Sequence, residues 1–409
     1  MKRSSERILT THAGSLGRPA NITEVLRAKS FGEPYDEAAF EKMLTPAVAE
    51  VVDQQIKVGV EVPSDGEFGK TVWTSYISER LGGVESIAAS GAPPGIRSSD
   101  RENFSEFYEV YDRELVGVWI PPEVRKKHPG ETWASARRTV CRGPLTYTGS
   151  QIIERDIANL KAALANVPVE EAFLPLAAPA SVEASLANEF YPDDESFMQA
   201  LADALRVEYR AVVDAGLLLQ VDDAFIPYNY DRFVGHGMSM EEYLKHCELR
   251  IDAVNEALRG IPEDRVRYHV CWGSWSGPHT SDVEMKDIVH LVLRVNAQAY
   301  SFEAANPRHE FEWRVWEDVK LPDDKILIPG VVTHSTNVVE HPETVAQRIQ
   351  RFASLVGSEN VIAGTDCGFA QGWTMPRTHP TVQWAKLQAL ADGARIATER
   401  LLRKSAASL

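Results

Sequence analysis

The sequence predicts an α/β protein, a single-domain (β/α)8 TIM barrel spanning residues 1–409 with one long βα-loop insertion at 85–137. Three observations predict it. Short apolar runs rich in β-formers alternate with amphipathic helical runs almost from end to end. The apolar runs lack in–out alternation, as expected of parallel strands covered by helices. Polar side chains able to ligate or react gather at the C-terminal ends of these runs, the end at which such barrels work.

Strands are expected at 7–11, 60–64, 139–145, 173–177, 217–222, 266–271, 299–303, 326–332 and 361–365. Nine is one too many for eight staves, and 173–177 is the expected extra unless it displaces another. Helices are expected between them, as in "DEAAFEKMLTPAVAEVVDQQIKVG", "SFMQALADALRVEYRAVVDAG" and "HPETVAQRIQRFASLVG". In the last, Val345, Ile349, Phe352 and Ala353 share one face at helical spacing. Each stops at a glycine, the residue that most easily takes the left-handed conformation after a helix. The segment 85–137, with "SGAPPGIRSSDRENF" and "IPPEVRKKHPGE", breaks the rhythm and reads as a loop excursion, a candidate lid.

Lys plus Arg number 43 against 59 for Asp plus Glu, a net charge of −16. That excess argues against nonspecific binding to nucleic acid or anionic membrane and leaves a small-molecule site open. The first residues start basic but have no apolar stretch, so no signal peptide is expected. No run reaches the roughly 18 apolar residues of a membrane span. Four cysteines in so long a chain make no disulfide framework, and reduced thiols in a cytoplasmic protein are expected.

"YHVCWGSW" puts His269 and Cys271 two residues apart, on the same side of a strand. Both can bind one ion from one strand end. Cys367 in "TDCGF" is the natural third ligand and Glu303 in "FEAAN" a candidate fourth. Two thiolates, an imidazole and a carboxylate suit zinc rather than magnesium or calcium. The alternative is a core histidine beside a buried thiol. Cys247 falls at helical spacing and Cys141 inside a strand, so both read as core, and His236, His246 and His290 as structural or exposed.

Taken in order, "TTHAGSLGRP", "QQIKVGVEVPSDGEFGK", "VEYRAVVDAGLLLQVDDAF", "HVCWGSW", "FEAAN", "VVTHSTNVVE" and "TDCGF" resemble the strand-end motifs of the cobalamin-independent methionine synthases and their relatives, the epoxyalkane:coenzyme M transferases included. The resemblance implies Zn2+ held by His269, Cys271, Glu303 and Cys367. It implies Glu67 and Asp222 as contacts to a substrate ammonium, Ser15 to its carboxylate, and His334 as proton donor to the leaving group. The activity implied is a zinc-dependent thiol S-alkyltransferase, a methyltransferase like the 5-methyltetrahydropteroyltriglutamate–homocysteine enzyme. Its partners would be a small-molecule thiol acceptor such as homocysteine, activated as the zinc thiolate, and a methyl or alkyl donor.

The chain also departs from that pattern. It has one barrel where the folate-using enzymes have two, "VDDAF" where they have D-E-P-A, and Lys70 where they have arginine. Its length and "NVVEHPETVAQRI" look closer to the coenzyme M branch, while "THSTN" keeps the methionine synthase histidine. Transfer to another thiol such as coenzyme M, demethylation of a different donor, and a zinc-dependent hydrolase or lyase on the same barrel therefore stand beside the first reading. Glu67 also reads as a helix N-terminal acid. Of Asp222 and Asp223, one is expected to cap the next segment. His12 reads equally as a pocket or a loop residue, and Trp272, Trp275 and Trp373 as pocket walls or barrel caps.

Overall fold

The computed structural model describes residues 1–87, 98–131 and 137–406, with side chains to 402. Among the described residues nine strands form two sheets: β1 (Leu81–Ile87), β2 (Arg138–Tyr147), β3 (Phe173–Ala177), β4 (Leu186–Asn188), β5 (Leu218–Asp223), β6 (Val266–Val270), β7 (Ala299–Phe302), β8 (Ile326–Val332) and β9 (Gly364–Thr365). The main sheet runs β3-β5-β6-β7-β8-β9, all parallel. From β9 back to β3 the curl passes through residues 9–11 and 62–63. Thr10 bridges Ala363, Thr11 bridges Val62, and Phe173 N–H donates to Pro63 O at 3.0 Å. These two segments contribute single parallel bridges rather than full strands. Pro63 has no N–H to extend the ladder, and Thr10 and Glu61 divert hydrogen bonds to side chains.

Two strand expectations change. Phe173–Ala177 is not the extra strand but a stave of the main sheet, in register with Leu218–Asp222. The extra is 139–145, within β2, which pairs antiparallel with β1 and parallel with β4 in a separate three-stranded sheet. The three helices expected to end at glycine do so: Glu37–Lys57, Asp194–Asp214 and Pro342–Val356 are followed by Gly59, Gly216 and Gly357 at φ 87°, 87° and 89°. The insertion expected at 85–137 includes 88–97 and 132–136, outside the described residues. Its described part holds the short helices Ser99–Asn103, Ser105–Val110 and Pro122–Lys127.

Alternation along each stave decides what reaches the interior. On β6, Val266, Tyr268 and Val270 pack outward into the large core shared with the helices. Arg267, His269 and Cys271 therefore face inward. Arg267 closes the interior below them, donating to Thr11 Oγ1 and His12 O at 2.9 Å each with its guanidinium over Phe173. Among the described residues, no helix is long and apolar enough to cross a membrane.

Candidate metal and substrate site

The ends of β6 and β9 bring His269, Cys271 and Cys367 together, their ligating atoms all within 4.8 Å of one another. The two sulfurs are 3.4 Å apart, and Glu303 Oε1 lies 3.7 Å from Cys271 Sγ. All four residues are buried. His269 Nδ1 is held by Ser301 Oγ at 3.1 Å, leaving a buried Nε2 with no protein partner. Gly273 N–H and Gln371 Nε2 approach the sulfurs of Cys271 and Cys367 at 3.3 and 3.7 Å, contacts that favour thiolates. The neighbouring Cys367 thiol, burial and the Glu303 charge push Cys271 well above the ordinary thiol range. Such a set keeps protons it would release to a cation. Two sulfurs, an orphaned imidazole nitrogen and a carboxylate fit a tetrahedral zinc site.

A second trio, Glu303, His334 and Asp366, also has its ligating atoms within 4.8 Å of one another. Asp366 is a residue that the sequence reading passed over. Its Oδ1 accepts from Ala304 and Ala305 N–H at 2.8 Å each, and its buried Oδ2 is unpartnered. A Cβ on Gly330 would come within 2.2 Å of Asp366 Oδ1, so only glycine leaves room for this carboxylate. Burial, then the Glu303 charge, pushes Asp366 up to about 7. Neither ring nitrogen of His334 has a partner. Burial, reinforced by Arg377 and neighbouring histidines, pulls it well below its usual range, so the ring is neutral.

The acid end adjoins the metal ligands on the next stave, with Asp222 in register with His269. Glu67 sits at φ 59°, a conformation costly for a residue with a side chain, and its buried Oε2 has no partner. Asp222 Oδ1 accepts from Gln220 Nε2 at 2.6 Å. Burial, then the charge of Glu67, drives Asp222 well above the usual carboxylate range. Lys70 Nζ lies 3.8 Å from Glu67 Oε1, donates to Pro175 O and rests over the Tyr76 ring. Ser15 is buried beside the Cys367 loop. A Cβ on Gly368 would come within 2.0 Å of its Oγ, and Phe369 N–H donates to its carbonyl.

The alternatives resolve locally. Asp223 is the capping member of its pair, accepting from Phe225 N–H and Tyr268 OH at 2.8 Å each. His12 braces its own loop, through Gly14 N–H to Nδ1 and Gln55 on Nε2. Trp272 and Trp373 anchor loops through Val283 O and Ser30 Oγ. Cys141 and Cys247 are core. Trp73 and Tyr228, not singled out in the sequence, pack against Cys271 and Cys367.

The chain has relatives among known proteins. The family model described as the catalytic domain of cobalamin-independent synthase matches residues 128–387. The methionine synthase of Saccharolobus solfataricus is 22% identical over 97% of this chain and 96% of its own length, and that of Sulfolobus acidocaldarius 23% over 97% and 94%. Two solved structures share the fold. The B12-independent methionine synthase of a Shewanella species, in complex with selenomethionine, has a TM-score of 0.67 at 19% identity, covering 98% of this chain and 100% of its own. A Listeria monocytogenes protein described as a putative vitamin-B12 independent methionine synthase has a TM-score of 0.63 at 21% identity, covering 95% and 98%. With the model matching more than half of its length, this chain belongs to the cobalamin-independent methionine synthase family.

Proposed function

We propose that the protein is a thiol S-methyltransferase in which His269, Cys271, Glu303 and Cys367 hold zinc and a small aminothiol such as homocysteine is the acceptor. The observation that carries the reading is the convergence of two thiols, an orphaned imidazole nitrogen and a carboxylate at the ends of β6, β7 and β9. Zinc bound there supplies a Lewis acid that lets an acceptor thiol ionise at neutral pH. Glu67 and Asp222 are buried acids, and repulsion by Glu67 helps keep the proton on Asp222, a conflict that an incoming ammonium relieves. Ser15, beside the Cys367 loop, orients the carboxylate of the same substrate.

Methyl transfer forms an S–C bond, breaks the bond between carbon and the donor atom, and moves one proton from thiol to leaving group. His334 suits that traffic because it is neutral with both nitrogens free. It takes a proton at one nitrogen and returns one from the other, and burial keeps the charged form short-lived. The family name and the nearly full-length methionine synthase relatives support a methyl donor and a single-barrel enzyme.

The insertion 85–137 serves as the lid of a single barrel domain. Tyr108 OH accepts from Trp275 Nε1 at 3.1 Å, Asp100 from Thr280 N–H at 3.0 Å, and Tyr111 OH from Arg377 at 3.2 Å.

Lys70 favours a second reading. A lysine 3.8 Å from Glu67 already compensates part of the acid pair, which suits a thiol without an ammonium, such as coenzyme M. The test is to supply zinc-loaded protein with methyl donors and homocysteine, cysteine or 2-mercaptoethanesulfonate, detecting S-methyl products by mass spectrometry. Methylated homocysteine, lost in Cys367→Ala, supports the first reading; methylated sulfonate alone supports the second. Absence of any S-methyl product, with no sulfur ligand added at the zinc X-ray absorption edge, overturns both in favour of a zinc hydrolase or lyase.

A further inference from the structure

Beside the thiol site lies a second cluster that the methyl-transfer reading does not use. His279, Asp282 and His309 place one ligating atom each within 4.8 Å of one another, and both histidines are buried. His279 belongs to the loop after β6 and His309 to the loop after β7. His279 Nδ1 and His309 Nε2 converge on a single oxygen, Asp282 Oδ2, at 2.8 and 2.9 Å. The other nitrogen of each ring faces an acceptor. His279 Nε2 lies 2.9 Å from Trp275 O, and His309 Nδ1 lies 3.4 Å from Glu312 Oε1. Each ring packs on a tryptophan, His279 stacked on Trp275 and His309 tilted by 34° against Trp272, with centroids 4.2 and 4.4 Å apart. His279 holds this orientation at φ 55°, in the left-handed region that a side chain disfavours.

Every polar neighbour of these two rings is an acceptor, so all four ring nitrogens need a positive partner. Protons can supply it only by making two imidazoliums that crowd one carboxylate oxygen. One divalent ion can replace the two inner protons with no change in charge. The outer nitrogens then donate to a backbone carbonyl and a carboxylate, the pattern that orients metal-bound histidines.

We propose that His279, Asp282 and His309 form a second metal site, a two-histidine, one-carboxylate set for a first-row divalent transition ion. The ion clips the loops after β6 and β7 together and fixes the Trp272 and Trp275 rings beside the thiol site. Its binding releases up to two protons, one from each ring.

Cobalt titration of the chelator-stripped full chain tests this, with absorbance reporting the ligands and elemental analysis the stoichiometry. Wild type is expected to bind two equivalents, one with intense near-ultraviolet thiolate bands and one without. Asp282→Asn and His309→Ala should lose only the second. Should either fail to fold, Cys271→Ser/Cys367→Ser gives the answer instead, because it should keep one equivalent without thiolate bands. A single equivalent in wild type, or none in the folded double-serine variant, overturns the proposal. The cluster is then a pair of imidazoliums, visible as two doubly protonated rings in 15N spectra.

Discussion

His334 and His309 are both nearly inaccessible to water, yet they sit on opposite sides of neutrality. Burial pulls His334 down with nothing to oppose it, since neither nitrogen has a partner and the nearby Arg377 adds repulsion. Burial pulls His309 down too, but hydrogen bonds to Asp282 and Glu312 and the charge of Glu303 outweigh it and push the group to about 9. Burial therefore sets the cost of charge, and the acceptors around a ring decide whether it is met. His334 is left free to exchange a proton; the His279–His309 pair is committed to holding positive charge.

The sharpest way to break this contrast is to remove what makes the free side reactive. Cys367→Ala should abolish methyl transfer and lower metal content by about one equivalent while leaving the fold intact. Full activity in that variant would sink the ligand assignment. His334→Ala should retain zinc and acceptor binding and lose roughly 10²–10⁴-fold in kcat, the range for a lost proton-transfer group. An equal loss in zinc content would make His334 a structural residue instead.

Stability against pH separates the two classes in chelator-treated protein. His309 and His279 are raised above the unfolded value near 6.5, so the folded state binds the extra protons. Their contribution, roughly 3 kcal/mol for His309, is complete below pH 6.5 and is lost as pH climbs, for His309 through about 9. His12, pulled to about 3 by burial despite its bond to Gln55, and His334 run the other way. There the unfolded chain binds the protons, so their contribution is present above pH 6.5 and fades as pH falls towards 3. Melting temperature should therefore decline on both sides of neutrality. His309→Gln should flatten only the alkaline limb and His12→Gln only the acid one. An alkaline limb unchanged in His309→Gln would contradict the charged cluster.

What was legible in the sequence follows from local periodicity. The i, i+2 spacing of His269 and Cys271 puts both on one face of any strand, and a glycine after each of the three helices read from the sequence marks its end. The origin of partners was less legible. An apolar run such as 139–145 looks alike in a barrel and in a hairpin, and its partner β1, "LGGVESI", is too glycine-rich to announce itself. Residues 9–11 and 62–63 pair by single bridges, so they read as strands more clearly than they form them. Asp366 had a usable signal, its place next to Cys367 at a strand end. Trp73, Tyr228, His279 and His309 had none, because only the curl of the sheet brings their separate loops together.

The smallest expected effect applies the same rule to the acid end. Glu67 and Asp222 are buried carboxylates, and the cation nearest Glu67 decides how much room is left for a substrate charge. Lys70 is that cation, seated 3.8 Å from Glu67 and held by Pro175 O and the Tyr76 ring. Lys70→Met keeps the stem's volume and removes one charge, so an ammonium-bearing thiol then meets an acid pair balanced only by the buried Arg18 and Arg267. Its KM should fall roughly tenfold relative to that of a thiol lacking the ammonium, about 1.4 kcal/mol of discrimination, with kcat little changed. The ratio of KM values for homocysteine and 2-mercaptoethanesulfonate measures it. A ratio that stays put means Lys70 holds only its backbone carbonyl, and partner charge then does not govern the acid end as it governs the histidines.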